Sequence, residues 1–232
     1  MKTIGLIGGL AWPSTITYYR TINTLATTTL GGLHSAPLVL VQTDFHELET
    51  LRAANNWTAI HDIFWKHIDR LHHAGADFFI VACNTYHMVA EKMAAQAPIP
   101  LFHLVDALGA RITQDGYRRV GLLGTMATMT GEYMVRPLRE RYGVGVVVPG
   151  EEERLGLNRT VVEELARGLV LPESRDMFRG VIGRLVENGA EAIILGCTEL
   201  GLLVRQEDSP VPLIDTALVH AEAAAEMALG EG

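Results

Sequence analysis

Cysteine is scarce in this sequence: Cys83 and Cys197 are the only two in 232 residues. A secreted disulfide scaffold is denser than that, so a reducing cytoplasm is the expected setting. Long apolar runs are also missing. No segment reaches the roughly 20 uninterrupted apolar residues that a membrane span requires. The apolar opening from Ile4 to Ala11 is broken by Gly5, Gly8 and Gly9 and runs into polar residues from Ser14 to Arg20. With no convincing cleavage site, it reads as a first strand and its loop rather than a secretory leader. Basic runs are absent too. Lys and Arg number 19 against 27 Asp and Glu, a formal charge of −8, and without clustered cations a nucleic-acid partner is excluded from the expectations. Neither GxGxxG nor a Walker motif occurs, so a nucleotide or dinucleotide site has no support.

What the sequence has is apolar residues, 48% of the total, enough to bury a substantial core. Short β-prone runs alternate with longer segments of helical period, the pattern of an α/β protein with parallel sheets. The expected strands are 3–7, 38–43, 78–82, 100–103, 119–123, 145–148, 192–196 and 212–214. The first helix is expected to begin after Pro13-Ser14-Thr15 and to end at Gly31-Gly32, where a left-handed cap is easy.

Three segments recur in order. Ile4-Gly-Leu-Ile-Gly-Gly9 pairs with Val120-Gly-Leu-Leu-Gly-Thr125. Gly75-Ala-Asp-Phe-Phe-Ile-Val-Ala-Cys83 pairs with Gly189-Ala-Glu-Ala-Ile-Ile-Leu-Gly-Cys197, and Ile99-Pro-Leu-Phe102 with Val211-Pro-Leu-Ile214. A slowly drifting offset across three ordered matches points to duplication of a half of roughly 110 residues. The expected architecture is two pseudo-symmetric, Rossmann-like lobes, one of residues 1–104 with 215–232 and one of residues 105–214.

Each cysteine closes one copy of the same predicted strand, and open α/β sheets bind ligands outside the carboxyl ends of their strands. Facing lobes would set Cys83 and Cys197 on opposite walls of an interlobe cleft. Two groups of similar pKa on opposite sides of a carbon suit a reaction that removes a proton from one face and returns one to the other. Asn84-Thr85 and Thr198-Glu199 follow the two sulfurs and are expected to open helices. Gly8-Gly9 and Gly124-Thr125 supply backbone N–H groups suited to a carboxylate. The same placement is also compatible with two buried strand-end cysteines, or with a redox pair, although CxxC spacing is missing.

Other signals carry less. His67, His72 and His73 share a predicted helix, but their spacing does not align three rings for a metal, and no metal is expected. His87 reads as packing or hydrogen bonding behind the Cys83 loop. Trp57, Phe64 and Trp65 read as core at helical spacing, whereas Trp12 is placed in a loop at the predicted cleft. Glu151-Glu-Glu-Arg154 reads as an acidic first helical turn.

Gly5-Leu-Ile-Gly-Gly-Leu-Ala-Trp-Pro-Ser-Thr15, Ala82-Cys-Asn-Thr-Tyr-His87, Leu122-Leu-Gly-Thr-Met-Ala-Thr128 and Gly196-Cys-Thr-Glu199 together resemble the cofactor-independent aspartate/glutamate racemase family. The resemblance covers essentially the whole chain. It implies two α/β lobes, no cofactor, a homodimer, and a two-thiol proton exchange at the α-carbon of an amino acid, with Cys83 and Cys197 as alternating base and acid. It further implies that Gly8, Gly9, Asn84, Thr85, Thr125, Thr128 and Thr198 surround the substrate's α-carboxylate and amino group. Glu199 stands where glutamate racemases of cell-wall synthesis usually carry His, and the Asp-Ser opening of that branch is absent, which points to the aspartate or broad-specificity branch. For the distal carboxylate the nearest candidates are Arg52 and Arg167, either of which could equally be a solvated helix-face charge; the family's usual Lys is missing at the latter place. The functional expectation is racemisation of aspartate or glutamate. A dicarboxylate isomerase or decarboxylase and a non-catalytic amino-acid-binding protein are the alternatives.

Overall fold

Apolar β-prone runs that can pair along an edge need helices over both faces, and each half of this chain supplies them in βα order. The computed structural model describes residues 1–230 and divides into two compact units, one of Met1–Leu104 with the chain from His220 onward, the other of Val105–Val219. In the first unit, β1 (Ile4–Gly8) lies between β2 (Leu38–Gln42) and β3 (Phe78–Val81), all parallel. Its helices are α1 (Trp12–Leu30), α2 (Phe45–Ala53), α3 (Trp57–His73) and α4 (His87–Ala94). The apolar faces of α2, α3 and α4 close over the sheet around Ile7, Phe64, Ile68, Phe79, Val81 and Tyr86, all buried. Burying each such side chain stabilises the fold by about 1.5–3 kcal/mol.

The second unit starts in α5 (Leu104–Gln114) and forms a parallel sheet in the order β5-β4-β6-β7. The strands are β4 (Arg119–Leu123), β5 (Gly145–Val147), β6 (Ala192–Leu195) and β7 (Leu213–Asp215). Around them lie α6 (Met126–Thr130), α7 (Glu132–Tyr142), α8 (Glu151–Arg159), α9 (Pro172–Glu187) and α10 (Leu200–Leu203). The final helix, α11 (Thr216–Leu229), begins in the second unit and ends in the first. Among the described residues no helix is long and apolar enough to cross a membrane.

The duplication extends to how strands are entered. Gly75 and Gly189 both take left-handed φ, +83° and +88°. Two residues on, an acid caps the start of the neighbouring strand: Thr3 N–H donates to Asp77 Oδ2 at 2.6 Å, and Arg118 N–H to Glu191 Oε2 at 2.6 Å. The Arg118 and Arg119 amides keep the Glu191 carboxyl below its ordinary range.

Several sequence expectations are corrected. Residues 100–103 do not form a strand; they touch β3 through one bridge, Phe79 with Leu101, because proline at 98 and 100 removes donors and α5 starts at once. Trp12 is the first residue of α1, not part of a loop, and is 64% exposed. α1 therefore begins ahead of Pro13, which sits in its first turn where a missing N–H costs nothing. Trp65 points outward at 40% exposure while Phe64 is fully buried, since adjacent helical residues face about 100° apart. Glu151 to Glu153 do form the first turn of α8, with Glu153 accepting the Gly150 N–H.

Three fully or nearly buried histidines serve the first unit in neutral form. The Tyr18 hydroxyl donates to His220 Nδ1 at 2.9 Å, and His220 Nε2–H donates to the Phe102 carbonyl at 3.0 Å, fastening α11 to α1. Burial lowers His87 and His220 to about 3 and His67 to about 4. Unfolded histidines titrate near 6.5, so below that pH the unfolded chain takes up protons that the fold refuses. Stability is present above pH 6.5 and is lost as pH falls toward 3, at up to about 1.4 kcal/mol per histidine and pH unit. Urea midpoints measured from pH 7 to pH 4 should fall steadily; a level midpoint would contradict neutral burial.

Candidate active site

The parallel register brings strand exits into pairs. In the first unit Ile7 pairs with Val81 and the Ala82 N–H donates to the Ile7 carbonyl, so Gly9 leaves its strand beside Cys83. Gly9 has φ +76°, and a Cβ there would lie 2.3 Å from the Thr43 carbonyl oxygen. Its N–H donates to Thr15 Oγ1 at 2.8 Å, which fixes the β1–α1 turn. At Gly8 a Cβ would meet Thr15 Cγ2 at 2.6 Å.

Cys83 and Thr85 are half-buried and Asn84 is buried, all in the turn between β3 and α4. Asn84 and Thr85 do not open the helix as expected; α4 starts at His87, with Tyr86 as its cap residue. The Cys83 carbonyl accepts a hydrogen bond from His87 Nδ1 at 2.9 Å. Arg52, in the last turn of α2, is bound to Glu49 through Nε and Nη2, at 2.9 and 2.6 Å. The buried Tyr86 hydroxyl donates to the same carboxylate at 3.1 Å, so the Arg52 side chain is tied back to the Cys83 turn. Burial, aided by Glu49, pushes the Tyr86 phenol well above its ordinary range and keeps it protonated.

The second unit repeats the placement with different chemistry. Leu123 pairs with Leu195, which carries Thr125 beside Cys197. Gly196 is required by close approach: a Cβ there would lie 2.6 Å from the Leu123 carbonyl oxygen and 2.9 Å from Thr128 Cγ2. Thr125 caps α6, accepting the Thr128 N–H, and its hydroxyl pairs with that of buried Thr128 at 3.1 Å. Thr128 in turn reaches the Tyr133 hydroxyl at 3.3 Å. Cys197 and Thr198 are half-buried, and Glu199 is buried. The Cys197 S–H donates to Glu199 Oε2 at 2.7 Å, and the Thr198 hydroxyl donates to the same oxygen at 3.0 Å. Glu199 is thus turned toward the thiol, as the cap residue of α10.

Arg167 is exposed on a short 3-10 turn, Leu165–Arg167, that packs against α10. Reasoning from sequence missed Glu49, Tyr86, Tyr133 and Asn158, whose Oδ1 accepts the Met126 N–H at 2.8 Å. Of these only Tyr86 lay inside a motif; the others reach the site across intervals that no spacing encodes. Among the described residues no three His, Cys, Asp or Glu side chains gather to hold a metal ion.

A family model described as Asp/Glu/Hydantoin racemase matches residues 7–224. The crystal structure of a Yersinia pestis protein assigned as an Asp/Glu racemase is 44% identical, covers 99% of this chain and 100% of its own, and superposes with a TM-score of 0.93. That of an aspartate racemase homologue from Pyrococcus horikoshii OT3 is 33% identical over 99% of this chain and 100% of its own, with a TM-score of 0.85. A glutamate racemase from Roseiflexus sp. is 34% identical over 135 residues, 57% of this chain and 47% of the relative. The chain spans about half the length of the curated relatives it matches.

Two outcomes test this geometry. Gly9→Ala should lose about 3 kcal/mol or more, from a left-handed φ combined with overpacking, as read by chemical denaturation. Glu199→Gln removes the negative charge beside Cys197, so alkylation of that thiol by iodoacetamide at pH 7 should rise about ten-fold, as mapped by peptide mass.

Proposed function

Because the chain belongs to the Asp/Glu/hydantoin racemase family, we propose that it is an amino-acid racemase whose two thiols exchange a proton at the substrate α-carbon without a cofactor. The observation that carries the reading is the pair of half-buried cysteines, each at the carboxyl end of the equivalent parallel strand of its unit. One sulfur, as thiolate, takes the α-proton; the electron pair left on carbon delocalises into the α-carboxylate. The other, as thiol, gives its proton to the opposite face. The carbon is inverted and the two sulfurs have exchanged protonation states, so the reverse reaction starts from the product state. The hydrogen bond from Cys197 to Glu199 supports that thiol as the proton-bearing arm at rest.

Asn84, Thr85, Thr125, Thr128 and Thr198 supply the amide and hydroxyl groups for the α-carboxylate and amino group. Aspartate or glutamate is the substrate, in keeping with the relatives named for those amino acids. Glu49 engages Nε and Nη2 of Arg52, which leaves Nη1 for the distal carboxylate. Arg167 is the second candidate for that role. A cytoplasmic location and a homodimer go with the same reading.

Proton NMR in deuterium oxide with L- and D-aspartate and glutamate, and no added cofactor, tests it. The α-hydrogen signal should vanish as the opposite isomer grows. Cys83→Ser and Cys197→Ser should each slow racemisation by at least about 10²-fold, the contribution of a positioned acid or base. Normal racemisation by either variant would exclude the two-thiol mechanism, and binding without exchange would make the protein a binding module.

A further inference from the structure

The two cysteine turns are related by duplication, yet the groups behind them differ. Position 87 corresponds to 201 and position 103 to 215 in the repeat. The first copy has His87 and His103 there, the second Gly201 and Asp215. In the second unit the Cys197 carbonyl is satisfied by a backbone donor, the Leu200 N–H, at 3.0 Å. A Cβ at Gly201 would lie 2.7 Å from Asp215 Oδ2, so that carboxylate fills the space a side chain would need. In the first unit the same space holds an imidazole. His87 is fully buried, and its Nδ1 lies 2.9 Å from the Cys83 carbonyl. Its backbone N–H donates to the Asn84 carbonyl at 3.2 Å.

A carbonyl only accepts, so His87 carries its proton on Nδ1. Burial keeps the ring neutral, and Nε2 has no hydrogen-bond partner among the described residues. The ring is held by packing: His103 lies edge-on with centroids 4.7 Å apart, and His220 is tilted at 5.3 Å. His220 is itself fixed at both nitrogens. A fully buried polar nitrogen left without a partner is costly, and here the cost accompanies the hydrogen bond to the Cys83 carbonyl.

We propose that His87 is the positioning residue of Cys83, its Nδ1–H holding the carbonyl that sets the orientation of the thiol, a task the second copy performs with backbone alone. The inference rests on the reading of Cys83 as a reacting thiol. It predicts a difference between the cysteines that no general loss of stability would produce.

The test compares His87→Asn, whose side-chain amide nitrogen reproduces the place of Nδ1, with His87→Gln, whose donor lies further out. With only two cysteines, alkylation by iodoacetamide in the absence of substrate reports each thiol separately. In the glutamine variant Cys83 should react about ten-fold faster, as expected when the turn loses one hydrogen bond against local opening, while Cys197 keeps its wild-type rate. The asparagine variant should return Cys83 toward wild type. With substrate, kcat should fall about ten-fold in the glutamine variant with KM changed by less than about two-fold, and recover in the asparagine variant.

Nitrogen–proton correlation spectra of the wild-type imidazoles add a measurement independent of variants. At pH 7 His87 should be neutral with its proton on Nδ1. A proton on Nε2, or equal acceleration at both cysteines in the glutamine variant, overturns the proposal. Wild-type protein that fails to racemise while Cys83 alone responds to His87 would overturn the racemase reading and leave the positioning role standing.

Discussion

A parallel strand buried on both faces ends by delivering peptide groups that its neighbours no longer pair, and the chain must satisfy them within a few residues before the next helix. This constraint shapes every part of the candidate site. At β1 it selects Gly9, whose left-handed backbone passes close to Thr43 and gives its N–H to Thr15. At β6 it selects Gly196, because the Leu123 carbonyl and Thr128 leave no room for a side chain. Each cysteine follows from such an exit: a half-buried sulfur in a turn beside a glycine that has no room for a side chain. Precision of this kind is what proton transfer to and from carbon demands, since small displacements cost orders of magnitude in rate.

Duplication supplied two such exits, and divergence then changed what surrounds them. Behind Cys83 stands His87, packed against His103 and His220, with His87 and His220 kept uncharged by burial. Beside Cys197 stands a carboxylate, Glu199, accepting the thiol proton, with Thr198 sharing the same oxygen. A carboxylate next to a thiol favours its protonated form, whereas a neutral imidazole on the carbonyl adds no charge. Two positions equal in the backbone are therefore unequal in their electrostatics. A reaction in which one sulfur begins with a proton and the other without one benefits from that inequality. The same first unit carries the link from Tyr86 through Glu49 to Arg52, which ties a candidate substrate-binding cation to the turn that holds the thiol.

Much of this was legible in the sequence. Strands buried on both faces leave uninterrupted apolar runs, so seven of the eight expected strands are present with ends displaced by a residue at most. The exception, residues 100–103, has the right residues but lacks the donors that a ladder needs. The repeat was visible because equivalent strand exits impose equivalent residues: glycine where backbones converge, an acid where a strand must be capped, cysteine in the turn. Helix starts were read less well, since turn residues such as Asn84 and Thr85 resemble caps until the backbone shows the helix opening at His87. The inward or outward sense of adjacent aromatics, Phe64 and Trp65, also depended on a helix phase that composition does not report.

The sequence by itself determined the α/β architecture, its duplication and the two cysteine-bearing turns, because local periodicity and steric necessity act on neighbours along the chain. Only the tertiary structure decided which groups attend each thiol. Glu49 meets Tyr86 across 37 residues, and His220 reaches Phe102 across 118. His87 meets His103 and Gly201 yields its space to Asp215 only once strands and helices have packed. Hydrogen bonds and charge act over a few ångströms of space and are indifferent to sequence separation, so the fold, not the order of residues, makes the two turns chemically distinct.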